Sequence, residues 1–191
     1  MKALNKVLVL APVVLLSLTA CGKLSDDKAQ ERMEGYSLKE VEDKYASVDI
    51  KSDVKINKRT GSFAEGGLMS SIVDLMVEGL SEDQKGAPVE EGFFTMALDV
   101  ESLTGSEDVS VEYYAYKKTG LKIVSTTNIN EDESGVKTTG SAKTTVYILD
   151  DGRIEKGEGS MKIDASGSAG IVSLDGTLDF SFKFTYTWNA K

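Results

Sequence analysis

Residues 177–188 read TLDFSFKFTYTW, and this stretch decides the class of fold. Large apolar side chains occupy every second position, and Thr, Asp, Ser or Lys fill the positions between them. A period of two places the aromatic rings on one side of an extended chain, so the stretch is predicted to be a strand with one buried and one wet face. The apolar members of this row are Leu178, Phe180, Phe182, Phe184, Tyr186 and Trp188.

The same alternation recurs in shorter runs along the chain. These runs lie at 48–56, 94–100, 109–113, 121–129 and 144–148. Two of the connections, KKTG at 117–120 and DDG at 150–152, are predicted to be hairpin turns because Gly accepts the positive φ that tight turns require. The chain is therefore predicted to be rich in antiparallel strands.

Two segments have helical spacing instead. Ser37 and Glu40 fit a capping box and predict a short helix at the start of the folded domain. Between 68 and 80, apolar residues recur with a spacing of three and four, which predicts an amphipathic helix with Gly66 and Gly67 before it and Gly79 at its end. The polar residues 81–92 are predicted to form a loop.

These patterns together predict a mainly β protein. We expect an antiparallel curved sheet or barrel with one inserted amphipathic helix and a short N-terminal helix. The predicted organisation is a signal peptide at 1–20, a polar tether at 21–36 and a single β-rich domain at 37–191.

The N-terminal residues have the composition of a secretory signal. Lys2 and Lys6 precede an apolar run of ten residues at 7–16, VLVLAPVVLL. Spanning a bilayer takes about 20 apolar residues, so this run is too short for a transmembrane helix and fits the apolar part of a signal peptide.

The tetrad Leu18-Thr19-Ala20-Cys21 resembles the lipobox of bacterial lipoproteins. The resemblance implies diacylglycerol transfer to the Cys21 thiol, cleavage before Cys21 and acylation of the new amino terminus with a fatty acid such as palmitate. Gly22 resembles the residues that are compatible with sorting to the outer membrane of Gram-negative bacteria, on its periplasmic side. The alternative is ordinary signal-peptide cleavage after Gly22, since Ala20 and Gly22 are both small.

The composition narrows the classes of function. The chain of 191 residues has 22 basic and 31 acidic residues and a net charge of −9, which disfavours a nucleic-acid partner. It contains no His, so Ser-His-Asp and Cys-His catalysis are excluded. The acidic run NINEDE at 128–133 lacks the Gly and the final Glu of a calcium-binding loop and is predicted to be a solvated hairpin loop. We therefore expect no enzymatic activity, no cofactor and no metal.

Three hypotheses for the function remain open. The first is an envelope lipoprotein, lipid-anchored through Cys21, whose β domain binds a lipid or acyl chain in an apolar cavity under the 68–80 helix; in architecture this resembles lipocalin-like and localisation-factor lipoproteins. The second is a structural or assembly lipoprotein that binds a protein partner through its sheet edge or helix. The third is an integral outer-membrane β-barrel. The residues predicted to line the cavity are Leu68, Met69, Ile72, Met76, Phe180, Phe182 and Phe184.

Overall fold

Eight antiparallel strands form one sheet in the computed structural model, which describes residues 22–89, 109–133, 135–169 and 172–191. The mainly β class predicted from the sequence is confirmed. In chain order the elements are β1 (Lys23–Leu24), α1 (Asp26–Glu34), α2 (Leu38–Lys44), β2 (Tyr45–Arg59), a 3-10 turn (Gly61–Phe63), α3 (Ser70–Ser81), β3 (Gln84–Pro88), β4 (Val109–Tyr116), β5 (Gly120–Glu133), β6 (Val136–Ile148), β7 (Ile154–Ala169) and β8 (Val172–Ala190).

The strands are arranged in the order β1-β4-β5-β6-β7-β8-β2-β3. Strands β4 to β8 follow one another as neighbours, and β2 then pairs with β8 on the far side. Within the described ranges, the end strands β1 and β3 do not pair with each other, so the sheet is open rather than a closed barrel. The strand predicted at 94–100 lies outside the described residues.

The aromatic row of β8 lies in the middle of this arrangement, as its alternation predicts. Phe182 is paired with Val54 of β2 on one side and with Gly159 of β7 on the other. A Cβ atom placed on Gly159 would lie 2.4 Å from Cζ of Phe182, so the ring occupies the space over this residue. Phe184 pairs in the same way with Gly157. The glycines of β7 thus leave room for the rings of β8.

The apolar side chains form two clusters on one face of the sheet. Cluster 1 contains Ala29, Tyr113, Leu121, Ile123 and Ile148, with Leu24, Met33, Tyr36, Val111 and Val146 packed against it. The core of cluster 2 is Phe63, Val73, Ala165, Leu178 and Phe180. Directly paired residues point to the same side of a sheet, and the paired row Tyr113-Ile123-Val146-Gly157-Phe184 runs from cluster 1 towards cluster 2. We call this side the helix face and the other side the open face.

The segment predicted to be a polar tether is instead part of the fold. Lys23 and Leu24 pair with β4, and α1 packs on cluster 1 with Ala29 completely buried. Residues 23–35 have only three apolar side chains, and all three pack on cluster 1: Leu24, Ala29 and Met33. Helix α1 is polar and is held on the sheet by these few apolar side chains. Composition alone does not show that such a small contact is present. The folded unit therefore includes residues 22–36, which precede the predicted start at residue 37.

The helix boundaries and one loop also differ in part from the predictions. Ser37 caps α2 as predicted, because its hydroxyl accepts a hydrogen bond from the N–H of Glu40. Helix α3 continues past Gly79 to Ser81, so Gly79 does not end it. The predicted loop contains β3, an edge strand that pairs with β2 around the positive-φ Gly86. An edge strand needs no apolar alternation, and its polar composition therefore resembles a loop.

The two hairpin turns occur at the predicted positions, but the residue with positive φ differs from the prediction in one of them. Gly152 has the positive φ expected of the DDG turn. In the KKTG turn the positive φ belongs to Lys117, while Gly120 is required because a Cβ there would lie 2.3 Å from the carbonyl oxygen of Ile148. The acidic residues 128–133 continue β5 as a strand, so the hairpin loop predicted there begins only after Glu133.

We expect Ala29→Asp to lower the free energy of unfolding of the mature chain by at least about 2 kcal/mol, because it buries a carboxylate under α1. The matched control is Gln30→Asp, an exposed position on the same helix, which we expect to change stability by about 0.5 kcal/mol. Urea unfolding followed by circular dichroism measures both variants. Equal effects of the two substitutions would show that α1 is not packed on the sheet.

Candidate functional site

Helix α3 crosses the helix face over β2 and β8 and is the most apolar helix of the fold. Arg59, at the end of β2, fixes its first turn: the guanidinium donates to the carbonyl oxygens of Phe63 and Ser70 and to the carboxylate of Asp74, at 2.7 Å for the last contact. The Arg59 side chain is largely buried while that of Asp74 is largely exposed. This arrangement attaches the start of the helix to the sheet.

The inner side of α3 is packed into the core. Val73 is buried in cluster 2 beside Phe63, Leu178 and Phe180. The other inner residues of the helix and its flank are partly buried against the same cluster; they are Met69, Met76, Val77 and Leu80. The inner side therefore contributes to a filled core.

The predicted cavity residues are separated by this packing. Phe180 is only 1% exposed, and Met69, Met76 and Phe182 pack against it within cluster 2. Phe184 lies at a separate cleft at the other end of the helix. The remaining two predicted residues are Leu68 and Ile72, whose side chains point away from the sheet.

The outer side of α3 carries an exposed apolar strip, which we define as Leu68, Ile72 and Leu75. The exposed fractions of these side chains are 59%, 59% and 70%. Ile72 and Leu75 are three residues apart and lie on one side of the helix, and Leu68 lies in the turn just before its first residue, Ser70. The sequence pattern included Leu68 and Ile72, but Leu75 was not among the predicted site residues.

The cleft near Phe184 has a volume of about 230 Å³. Its apolar lining comes from Ile50, Leu80, Phe184 and Tyr186, and Glu82 and Gln84 lie at its rim. Pockets for small organic ligands usually occupy about 300 to 1,000 Å³. This cleft is therefore smaller than the usual ligand pocket.

The open face has a network of Tyr, Lys and Glu side chains that sequence reasoning did not identify. The Tyr116 hydroxyl donates to Glu155, and this hydrogen bond raises the pKa of Tyr116 to about 12. The Tyr147 hydroxyl donates to Glu158 at 3.0 Å, while the Nζ atoms of Lys122 and Lys156 lie 5.7 and 4.4 Å from the centre of its ring. Each of these two Tyr hydroxyls donates a hydrogen bond to a Glu of β7, so the network stabilises a solvent-exposed surface.

The structure also shows where the predicted lipidation site joins the fold. Cys21 lies outside the described residues, but Gly22 follows it directly and its carbonyl oxygen accepts a hydrogen bond from the N–H of Ala115 at 3.0 Å. Lys23 then forms an ion pair of 2.7 Å with Glu112. The chain therefore enters the sheet one residue after Cys21.

Two further properties concern the described part of the chain. It contains no helix whose length and apolar character would allow it to cross a membrane. In the same residues no group of three or more Cys, Asp or Glu side chains is arranged to hold a metal ion.

Comparison with known proteins adds no relative. No protein-family model matches the chain, and no similar protein was found among curated proteins or solved structures. The functional argument therefore depends on the residues of this chain.

Substitutions in α3 distinguish its two sides. We expect Met76→Ala to lower the free energy of unfolding by about 1 to 3 kcal/mol, because it removes a partly buried side chain that packs against cluster 2. Ile72→Ala removes an exposed side chain, and we expect a change within about 0.5 kcal/mol. Thermal and urea unfolding of the two variants measure the difference. A loss at Ile72 as large as that at Met76 would show that the outer strip is buried.

Proposed function

We propose that the protein is a non-enzymatic lipoprotein of the bacterial cell envelope that binds a protein partner through the outer strip of α3. The observation that carries the proposal is the exposure of Leu68, Ile72 and Leu75 on a helix whose inner side is already packed. Exposed apolar residues that adjoin one another on a rigid element are typical of interaction surfaces.

The lipobox supports the anchor on Cys21. Acyl chains on one residue insert into a bilayer with about 0.8 kcal/mol for each buried methylene, and two chains give stable attachment. The mature chain loses Lys2 and Lys6 with its signal peptide and is then more acidic than the full chain. Since an acidic domain is repelled by anionic lipids, the acyl chains are the main source of membrane affinity in this proposal.

The packing of α3 favours a protein partner over a ligand under the helix. A lid over a ligand cavity would place its apolar residues on the inner side against open space, whereas Val73, Leu178 and Phe180 fill the inner side here. The exposed residues that remain are on the outer side. A partner that covers them would bury apolar area without disturbing the core.

The charges around the outer strip indicate the chemistry of the partner. Exposed acidic side chains lie along and beyond the helix at Glu65, Glu78 and Glu82, in addition to Asp74, which is paired with Arg59. We therefore propose a partner segment with apolar side chains flanked by Lys or Arg. Complementary charges of this kind increase the rate of association and select the orientation of the complex.

A second candidate function is the binding of a lipid or acyl chain. The cleft lined by Ile50, Leu80, Phe184 and Tyr186 is the observation that favours it, because these side chains are apolar and partly accessible. Its volume of 230 Å³ suits only part of an acyl chain.

The anchor is tested by Cys21→Ser. We expect the unsubstituted protein to incorporate labelled palmitate in a bacterial host and the variant to incorporate none, because the thiol is the site of attachment. Mass spectrometry of the mature N-terminal peptide gives an independent measurement. Persistent labelling of the Cys21→Ser protein would contradict the proposal.

The partner is tested with a photo-reactive amino acid at position 75 in cells, with position 162 on the open face as the matched exposed control. We expect Leu75 to give a discrete protein adduct that Lys162 does not give, and the surface substitution Ile72→Asp to reduce it. An adduct twice the mass of the chain would identify a second copy as the partner. Adducts only with lipid would favour the second candidate, and identical patterns at both positions would contradict the proposal.

A further inference from the structure

The N-terminal end of the fold is held at one particular end of the sheet. Gly22 lies beside Ala115, and Lys23 is paired with Tyr114, near the end of β4. Consecutive Cα atoms are about 3.8 Å apart, so Cys21 can lie only a few ångströms from this end of the sheet.

Helix α1 strengthens this attachment. The guanidinium of Arg32 donates to the carbonyl oxygen of Gly120 at 2.6 Å, and the Tyr36 hydroxyl donates to that of Thr119 at 3.1 Å. With Ala29 buried beneath the helix, β1 and α1 are fixed to the turn between β4 and β5 by both polar and apolar contacts.

Two turns meet at this end and form one surface. The Asp150 carboxylate accepts hydrogen bonds from the N–H groups of Thr119 and Gly120, at 2.7 and 2.8 Å. This contact joins the turn at 117–119 to the turn at 150–152. We call the two turns together the turn end of the sheet.

The exposed charges at the turn end are suited to phosphate. Lys117 and Lys118 are adjacent and both exposed. Lys117 is ion-paired with Glu155 at 3.1 Å, whereas Asp150 accepts from backbone N–H groups and Asp151 is paired with Arg153 at 2.8 Å, so Lys118 is the lysine left for an external anion. An exposed lysine in this position attracts the anionic headgroups of a bilayer.

We propose that the turn end of the sheet rests on the lipid headgroups of the membrane that holds the acyl chains of Cys21, with Lys118 in contact with lipid phosphate. The inference depends on the proposed lipidation. It adds a fixed orientation: the strands rise from the bilayer, and the β5–β6 turn lies at the distant end of the sheet. At about 3.3 Å per residue, the 14 residues of β5 separate these two ends by about 45 Å.

The experiment compares Lys118→Cys with Lys137→Cys, which make the same charge change at opposite ends of the sheet. Each full-length protein is lipidated in a bacterial host, labelled on the new thiol with a donor fluorophore and reconstituted in vesicles of phosphatidylethanolamine and phosphatidylglycerol. A small fraction of the lipid carries an acceptor on its headgroup. We expect energy transfer at position 118 to be at least about twofold larger than at position 137, given the length of the strands between them.

The outcomes separate this inference from the proposed function. Equal transfer at the two positions, or larger transfer at 137, from protein that carries fatty acid and floats with the vesicles would overturn the orientation and leave the lipidation intact. Absence of fatty acid on the mature N-terminal peptide would overturn both proposals.

Discussion

The pairing of β8 with β2 on one side and β7 on the other is the constraint on which the other contacts depend. It joins the first long strand of the chain to the last, and it places Phe180 and Phe182 on the helix face. Because the side-chain period of a strand is two, a shift of one residue in either register would turn these rings to the open face. Helix α3 would then have no cluster to pack on, and Gly157 and Gly159 would no longer lie beneath rings.

The strands can be predicted from the sequence because the alternation of apolar and polar residues is local and is repeated along the chain. The alternation at 177–188, the Ser37 cap and the DDG turn each occur in the structure where the residues indicate them. Local sequence patterns do not reveal contacts that depend on only a few side chains. Residues 23–36 are polar in composition, and their place in the fold depends on one small buried residue, Ala29, which no periodicity distinguishes.

Helix α3 of the candidate site shows the same limit of prediction from sequence patterns. Helix α3 is apolar around most of its circumference, so periodicity alone does not tell which residues face the sheet. The structure resolves this through Arg59, whose contacts with Ser70 and Asp74 set the rotation of the helix. Met76 then faces the core and Ile72 faces solvent, although both belong to the same predicted row. Their difference in exposure decides between a ligand lid and a docking surface for a partner.

Helix α3 is attached to the sheet at its start and along its inner side. This attachment also affects the entropy change when a partner binds to the helix. A surface helix that is loosely held must be ordered when it binds, and that ordering subtracts from the affinity. Here Arg59 and cluster 2 already restrict the backbone that presents Leu68, Ile72 and Leu75. A ligand or protein that contacts these three side chains meets a preorganised surface, so little of the binding free energy is lost to ordering the helix.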